Sequence, residues 1–194
     1  MLTPALARQL NALGLLAISA ALAFAYYDQF FGGDLPCPLC LLQRVALTAV
    51  GFGLLMNVVH GPRPRHYGFM LLAACFGAAV ASRQVLLHIV PGTGSYGAPF
   101  LGLHFYTWAL VLFCLVILGS AILLLMDRQF ERTETAPGRF SALPVLGKVA
   151  VAAIIVLAAA NTVTTFAECG PIECADDPTN YWILGGEPLP AAAR

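Results

Sequence analysis

Polar residues interrupt this chain at intervals that leave five long apolar stretches, at residues 7–27, 41–59, 67–89, 105–126 and 145–166. A helix needs roughly 20 apolar residues to cross the hydrocarbon core of a bilayer, and each stretch is close to that length. The pattern predicts five spanning helices, which leaves the two ends of the chain on opposite sides. Between the stretches lie residues 28–40, the short 61–66, then 91–104 and the polar 127–144, and a polar tail runs from 167.

Composition agrees with a lipid solvent: of 194 residues, 59% are hydrophobic and 10% charged, more apolar and less charged than an ordinary soluble domain. The formal net charge is zero and the ten basic residues never form a long run, so nothing predicts a nucleic-acid partner. Lys and Arg are retained on the cytoplasmic side of short loops. Arg8, Arg63, Arg65, Arg128, Arg132, Arg139 and Lys148 all fall in the N-terminus and the second and fourth connections, whereas Arg44, Arg83 and Arg194 do not. The N-terminus is therefore expected inside and the C-terminus outside. The first apolar stretch reaches Tyr26 and Tyr27 without a convincing signal-peptide cleavage site, so it is expected to be a retained span.

Four of the six cysteines, Cys37, Cys40, Cys169 and Cys174, fall in outward segments, where disulfides form and persist. Cys75 and Cys114 lie inside apolar spans and are expected to be small buried hydrophobes with unreactive thiols. Cys37 and Cys40 have the two-residue spacing of thiol–disulfide exchange, in which one thiolate attacks and the other resolves. Pro36 and Pro38 stand where the chain enters the second span, and proline favours the first helical position. A cysteine at a helix start meets free N–H groups and the positive end of the helix dipole, which favour its thiolate. Arg44 follows Cys40 by four residues, one turn along the same face. A cation there either contacts the thiolate or an electron acceptor, or snorkels to lipid headgroups.

The segment Cys37-Pro38-Leu39-Cys40-Leu41-Leu42-Gln43-Arg44 resembles the signature of the disulfide bond formation protein B (DsbB) family. Arg83-Gln84-Val85-Leu86-Leu87-His88, and Leu101-Gly102-Leu103 followed by Trp108, are also similar to the family pattern. The resemblance spans about residues 10 to 125. It implies a four-helix bundle that holds a quinone, ubiquinone or menaquinone, near the cysteines of the second helix. It also implies a periplasmic thioredoxin-fold partner of DsbA type, which the family reoxidises. On that basis Cys37, Cys40, Cys169 and Cys174 are the candidate catalytic residues, Arg44, His88 and Arg83 the candidate quinone-binding residues, and no metal is expected. His104, Tyr106 and Trp108 are expected in the interfacial aromatic belt.

The chain departs from the familiar four-helix members, whose second outward loop carries another cysteine pair: residues 91–104 contain none. A fifth span instead carries Cys169-Gly170-Pro171-Ile172-Glu173-Cys174 outward, with Gly-Pro favouring a turn that brings the sulfurs together. That pair is either a shuttle toward Cys37–Cys40 or a staple of the tail; the neighbouring Glu168, Glu173, Asp176 and Asp177 disfavour a thiolate.

The expected architecture is an all-α membrane protein: a four-helix transmembrane bundle over 1–126, a cytoplasmic loop at 127–144, a fifth helix at 145–166 and a periplasmic tail at 167–194. Its expected place is the bacterial inner membrane. The expected activity is thiol:quinone oxidoreduction that supports disulfide formation in exported proteins. The competing reading is a non-catalytic or zinc-binding membrane protein with structural cysteine pairs. The vitamin K epoxide reductase family does similar chemistry, but its active pair lies late in the bundle, unlike Cys37 and Cys40.

Overall fold

The computed structural model describes residues 2–95, 97, 99–131 and 139–185; Arg132, Arg194 and the end of the tail, which entered the charge reading, lie outside them. Five helices run the length of the described chain: α1 Pro4–Tyr27, α2 Pro38–His60, α3 Pro64–Leu87, α4 Phe105–Leu124 and α5 Val145–Cys169. All five are long and apolar enough to cross a membrane, so this is an all-α, multi-pass membrane protein. No β-strand occurs among the described residues, only an isolated bridge between Phe100 and Leu103.

Prolines set the starts. Pro4, Pro38 and Pro64 open α1, α2 and α3, each three residues before its apolar stretch, because proline presets the helical φ where no N–H is needed. Hydropathy marks what lies in lipid; capping marks where the helix begins. At the end of α1 the chain continues through a single π-helical turn, Asp28–Gly32, which turns Gln29 into the bundle, where it is buried. α5 continues to Cys169, so a cysteine closes the last helix.

α2 is central: it packs against α1, α3 and α5, while α3 covers α4 and α1 covers α5. The core is built from Leu15, Ile18, Val50, Val58, Phe113 and Ile154 with their neighbours. Lipid tails are as apolar as leucine, so helices associate through close packing and interhelical hydrogen bonds. Glycines supply the closeness. A Cβ at Gly51 would sit 2.7 Å from Ile154 Cδ1 of α5, and one at Gly77 would collide with the Phe113 ring of α4. Large apolar residues such as Leu72, Leu115 and Val163 are exposed, as expected for faces that meet hydrocarbon. Cys75 and Cys114 share that outer surface, both exposed, which corrects the expectation that they are buried. In lipid an apolar span does not bury its residues in protein, so a thiol there needs no core.

A polar cluster ties the bundle at the end away from Cys37. Asn11 donates to Tyr67 Oη at 2.8 Å, Asn57 donates to Asn11 Oδ1 at 2.9 Å, and Tyr67 donates to Gln129 Oε1 at 2.9 Å. Asn57 Oδ1 also lies 2.9 Å from His66 Nδ1 and accepts the Arg63 N–H at 3.2 Å. Asn57 is fully buried. Asn57→Ala should therefore leave several buried groups without partners and lower stability by about 1–3 kcal/mol. The check is a lower melting temperature in detergent, with the helical signal unchanged at low temperature.

Candidate functional site

The dipeptide step from Pro36 to Pro38 makes Cys37 the N-cap of α2, and its sulfur accepts the Cys40 N–H at 3.2 Å. The helix start thus presents an amide donor and its dipole to the sulfur, an arrangement that favours a thiolate there. Cys37 and Cys40 are joined as a disulfide. Cys37 is buried behind the helix start, while Cys40 lines a cavity of about 1020 Å³. This volume is at the upper end of ligand sites.

The cavity lies between α1 and α4, in front of α2. Phe24, Leu47, Phe105 and Leu112 supply apolar wall, and Arg44 and His88 supply polar wall. Asp177, Pro178 and Thr179 of the tail line it too. Phe24 meets Phe100 in a tilted pair and Phe105 edge to face, at centroid distances of 5.0 and 5.5 Å, an aromatic cluster where α1 meets the loop before α4. His88 and His104 both pack on the Tyr106 ring, at 5.5 and 5.3 Å. Trp108 donates its indole N–H to Phe100 O at 2.9 Å and also lines the cavity, so it holds the loop as well as facing outward.

Arg44 is the organising cation. It is buried rather than snorkelling, one turn beyond Cys40 on the same cavity. Its Nη1 donates to Gln29 Oε1 at 2.6 Å, its Nη2 donates to Ala25 O at 3.0 Å, and its guanidinium lies 5.0 Å from the Tyr26 ring centroid. Gln29 in turn donates to Tyr181 Oη at 2.9 Å, so the tail is tied to Arg44 through one amide. Glu168, buried near the end of α5, shares an electrostatic field with Arg44. Its two carboxylate oxygens have no hydrogen-bond partner among the described residues.

Cys169 and Cys174 form the second disulfide. Trp182 folds back over this loop: a Cβ at Gly170 would meet its ring at 2.6 Å, and its ring lies 6.2 Å from that of Phe166. The loop, the tail and the first disulfide therefore share one end of the bundle. Arg83, by contrast, is exposed and does not line the cavity.

The neighbouring Gln84 is fully buried and faces the first disulfide instead. Its Nε2 lies 3.2 Å from Cys37 Sγ and 3.4 Å from Cys40 Sγ, while its Oε1 accepts Gln43 Nε2 at 2.6 Å. Gln29, Gln43, Gln84 and Tyr181 carry the site but were not singled out from sequence. The available signal was their polarity: an amide inside or beside an apolar span belongs in the bundle interior. No group of three or more metal-ligating residues occurs among the described residues.

Residues 7–95 match the model of the family described as "Disulfide bond formation protein DsbB". The chain is 40% identical over 84 residues to a disulfide bond formation protein B of Xanthomonas euvesicatoria pv. vesicatoria, covering 41% of this chain and 49% of that one. It is 43% identical over 77 residues to the protein of that name from Azoarcus sp., covering 38% and 46%. With that of Chromobacterium violaceum it shares 40% over 79 residues, covering 39% and 48%. The chain thus spans about half the length of the curated relatives it matches. No solved structure matches it.

An edge-to-face aromatic pair contributes about 0.5–1.5 kcal/mol beyond its buried area. Trp182→Ala should accordingly raise the detached fraction of the tail roughly 2- to 13-fold, measured as faster limited proteolysis between Cys174 and Gly185.

Proposed function

We propose that this chain, whose residues 7–95 match the DsbB family model, is a DsbB-type membrane thiol:quinone oxidoreductase. It takes electrons from an exported thioredoxin-fold thiol protein of DsbA type and delivers them to ubiquinone or menaquinone. The observation that carries this reading is a disulfide at a helix N-terminus whose Cys40 shares one apolar cavity with a buried arginine.

The cavity fits the group: its walls are aromatic and aliphatic, as a ring with a prenyl tail requires, and Arg44 and His88 bring polar atoms to it. A quinone supplies a two-electron acceptor that becomes a quinol. What the chain supplies is placement. Arg44 offers N–H donors to a carbonyl oxygen, and holding such a donor in a site screened from water strengthens it where negative charge develops. Cys40 faces the cavity; an incoming thiolate that bonds to Cys37 sulfur releases Cys40 as the thiolate on the cavity side. About 30 mV of potential difference corresponds to roughly 1.4 kcal/mol for a two-electron couple, so a modest gap between donor and acceptor makes transfer one-way.

The basic residues at the end away from the cysteines support a cytoplasmic N-terminus and an inner-membrane location with the disulfides in the periplasm. Cys169–Cys174 is assigned as the shuttle pair on the strength of its position: it ends α5 beside the tail that lines the cavity. Residues 1–126 would form the electron-delivering bundle, 127–144 the inner loop, and 145–166 with 167–194 the element that brings the second pair.

Purified protein, a reduced DsbA-type donor and quinone test the reading. Cys37→Ala and Cys40→Ala should each abolish quinol formation, and turnover surviving in either would refute it. Arg44→Ala should mainly raise the KM for quinone by about tenfold or more, on the scale of one lost charged hydrogen bond at 1.5–3 kcal/mol. The Cys169→Ala/Cys174→Ala variant should lose oxidation of the protein donor while still turning over with a small dithiol. Retention of both activities would make that pair a staple.

A further inference from the structure

The cysteine pair must become charged each time it is reduced, and that charge needs a partner inside the bundle. We propose that Gln84 is a catalytic residue whose amide N–H groups hold the thiolate formed when the Cys37–Cys40 disulfide opens. The proposal rests on the thiol-oxidising reading above and names a group within it.

Gln84 has no exposed surface, and its Nε2 stands within hydrogen-bond range of both sulfurs, at 3.2 and 3.4 Å. Its orientation follows from chemistry. Sulfurs in a disulfide carry no hydrogen, so an amide oxygen turned toward them would find no donor, whereas an NH2 group finds two weak acceptors. Gln43 Nε2, donating to Gln84 Oε1 at 2.6 Å, holds the far side of the amide and leaves both Gln84 N–H groups for sulfur. A buried amide with its oxygen satisfied and its nitrogen against weak acceptors makes much stronger bonds once an anion appears, because hydrogen bonds to charged groups are about twice as strong as neutral ones.

The electron count is simple. A donor dithiol reduces the disulfide by two electrons, becoming a disulfide itself. The chain is left with one thiolate and one thiol, and one proton is released. Oxidation by the quinone takes the two electrons and the thiol proton, draws one further proton from the medium, and restores the disulfide. Between the two steps the chain stores one negative charge on a sulfur. Which sulfur bears it changes as the mixed disulfide forms and resolves, and Gln84 reaches either one.

The charged and titratable groups around the site come from every adjoining element. Tyr26 is on α1, Asp28 and Asp34 precede α2, Arg44 is on α2, His88 follows α3, Tyr106 is on α4, Glu168 is near the end of α5, and Asp177 and Tyr181 are on the tail. Four carboxyl groups, Asp28, Asp34, Glu168 and Asp177, surround one guanidinium and one imidazole, so these charges do not by themselves select a thiolate. The α2 amide at Cys40 and the Gln84 amide are the neutral, directional donors aimed at sulfur. The surrounding charges are common to wild type and variant, so a difference between their profiles reads Gln84 alone.

The test needs neither quinone nor partner. Full-length protein with Cys75→Ala and Cys114→Ala is reduced with a small dithiol, and iodoacetamide alkylation at Cys37 and Cys40 is followed by mass spectrometry across pH. In Gln84→Leu, and in the closer-fitting Gln84→Met, the thiolate midpoint should rise by about one unit, slowing alkylation about tenfold below it. Both variants are scored only in samples that melt cooperatively, and Gln84→Met keeps the volume if Gln84→Leu does not fold. An unchanged midpoint in either folded variant overturns the proposal. A wild type that never reduces quinone, yet shows the shift on substitution, would sink the acceptor reading and leave Gln84's role standing.

Discussion

A guanidinium inside a membrane bundle must be solvated by protein, and the rest of this structure is arranged around that demand. An arginine at the centre of a bilayer costs at least about 2.5–3.5 kcal/mol. Here Arg44 meets the Ala25 carbonyl at the end of α1, the Gln29 amide of the π-turn and the Tyr26 ring. Those contacts explain why the chain does not simply leave α1 for a loop after Tyr27. The π-turn carries Gln29 inward to the cation, and Gln29 then fastens Tyr181 of the tail. One charge therefore fixes the junction of α1, α2 and the C-terminal segment, and the cavity is what remains between them and α4.

Around this junction the two sulfur pairs are treated differently. The first sits against a helix N-terminus and a buried amide, surroundings that suit a sulfur whose charge changes. The second closes α5 through Gly170, whose positive φ of 66° and contact with Trp182 leave no room for a side chain. It has acidic residues nearby and an aromatic lid. Glu168, the residue before it, is buried with both oxygens lacking a hydrogen bond among the described residues, and the field of Arg44 is the compensation on display. The fifth helix is thus coupled to Arg44 electrostatically as well as through the tail.

The helices were legible because the bilayer imposes a length that hydropathy reads directly. The starts of α1 and α3 were not, since a proline at the first helical position extends them beyond the apolar window, whereas Pro36 and Pro38 marked the start of α2. Cys37 and Cys40 were legible from their spacing and the prolines at the helix start, and Arg44 as one of two readings of a cation one turn along the same helix. Gln84 and Gln29 were not, because what makes them part of the site is contact across 44 and 15 residues of sequence separation. The Arg83-Gln84 step shows the limit well: a charge drew the eye, but helical rotation sends the arginine outward and the amide inward. Cys75 and Cys114 were misplaced for a related reason, since apolar in lipid does not mean interior.

The gap between α1 and α4 has a further meaning. Val111 and Leu115 line the cavity and are 38% and 59% exposed, and their exposed faces belong to a span that meets hydrocarbon. A cavity walled in part by a lipid-meeting span stands within reach of the acyl chains. A ligand arriving from them is dissolved in two dimensions, and its effective concentration is a mole fraction in lipid, not an amount per litre. Saturation then depends on how much bilayer or detergent dilutes the pool. Two preparations with identical total ligand can differ in occupancy simply because one contains more micelle.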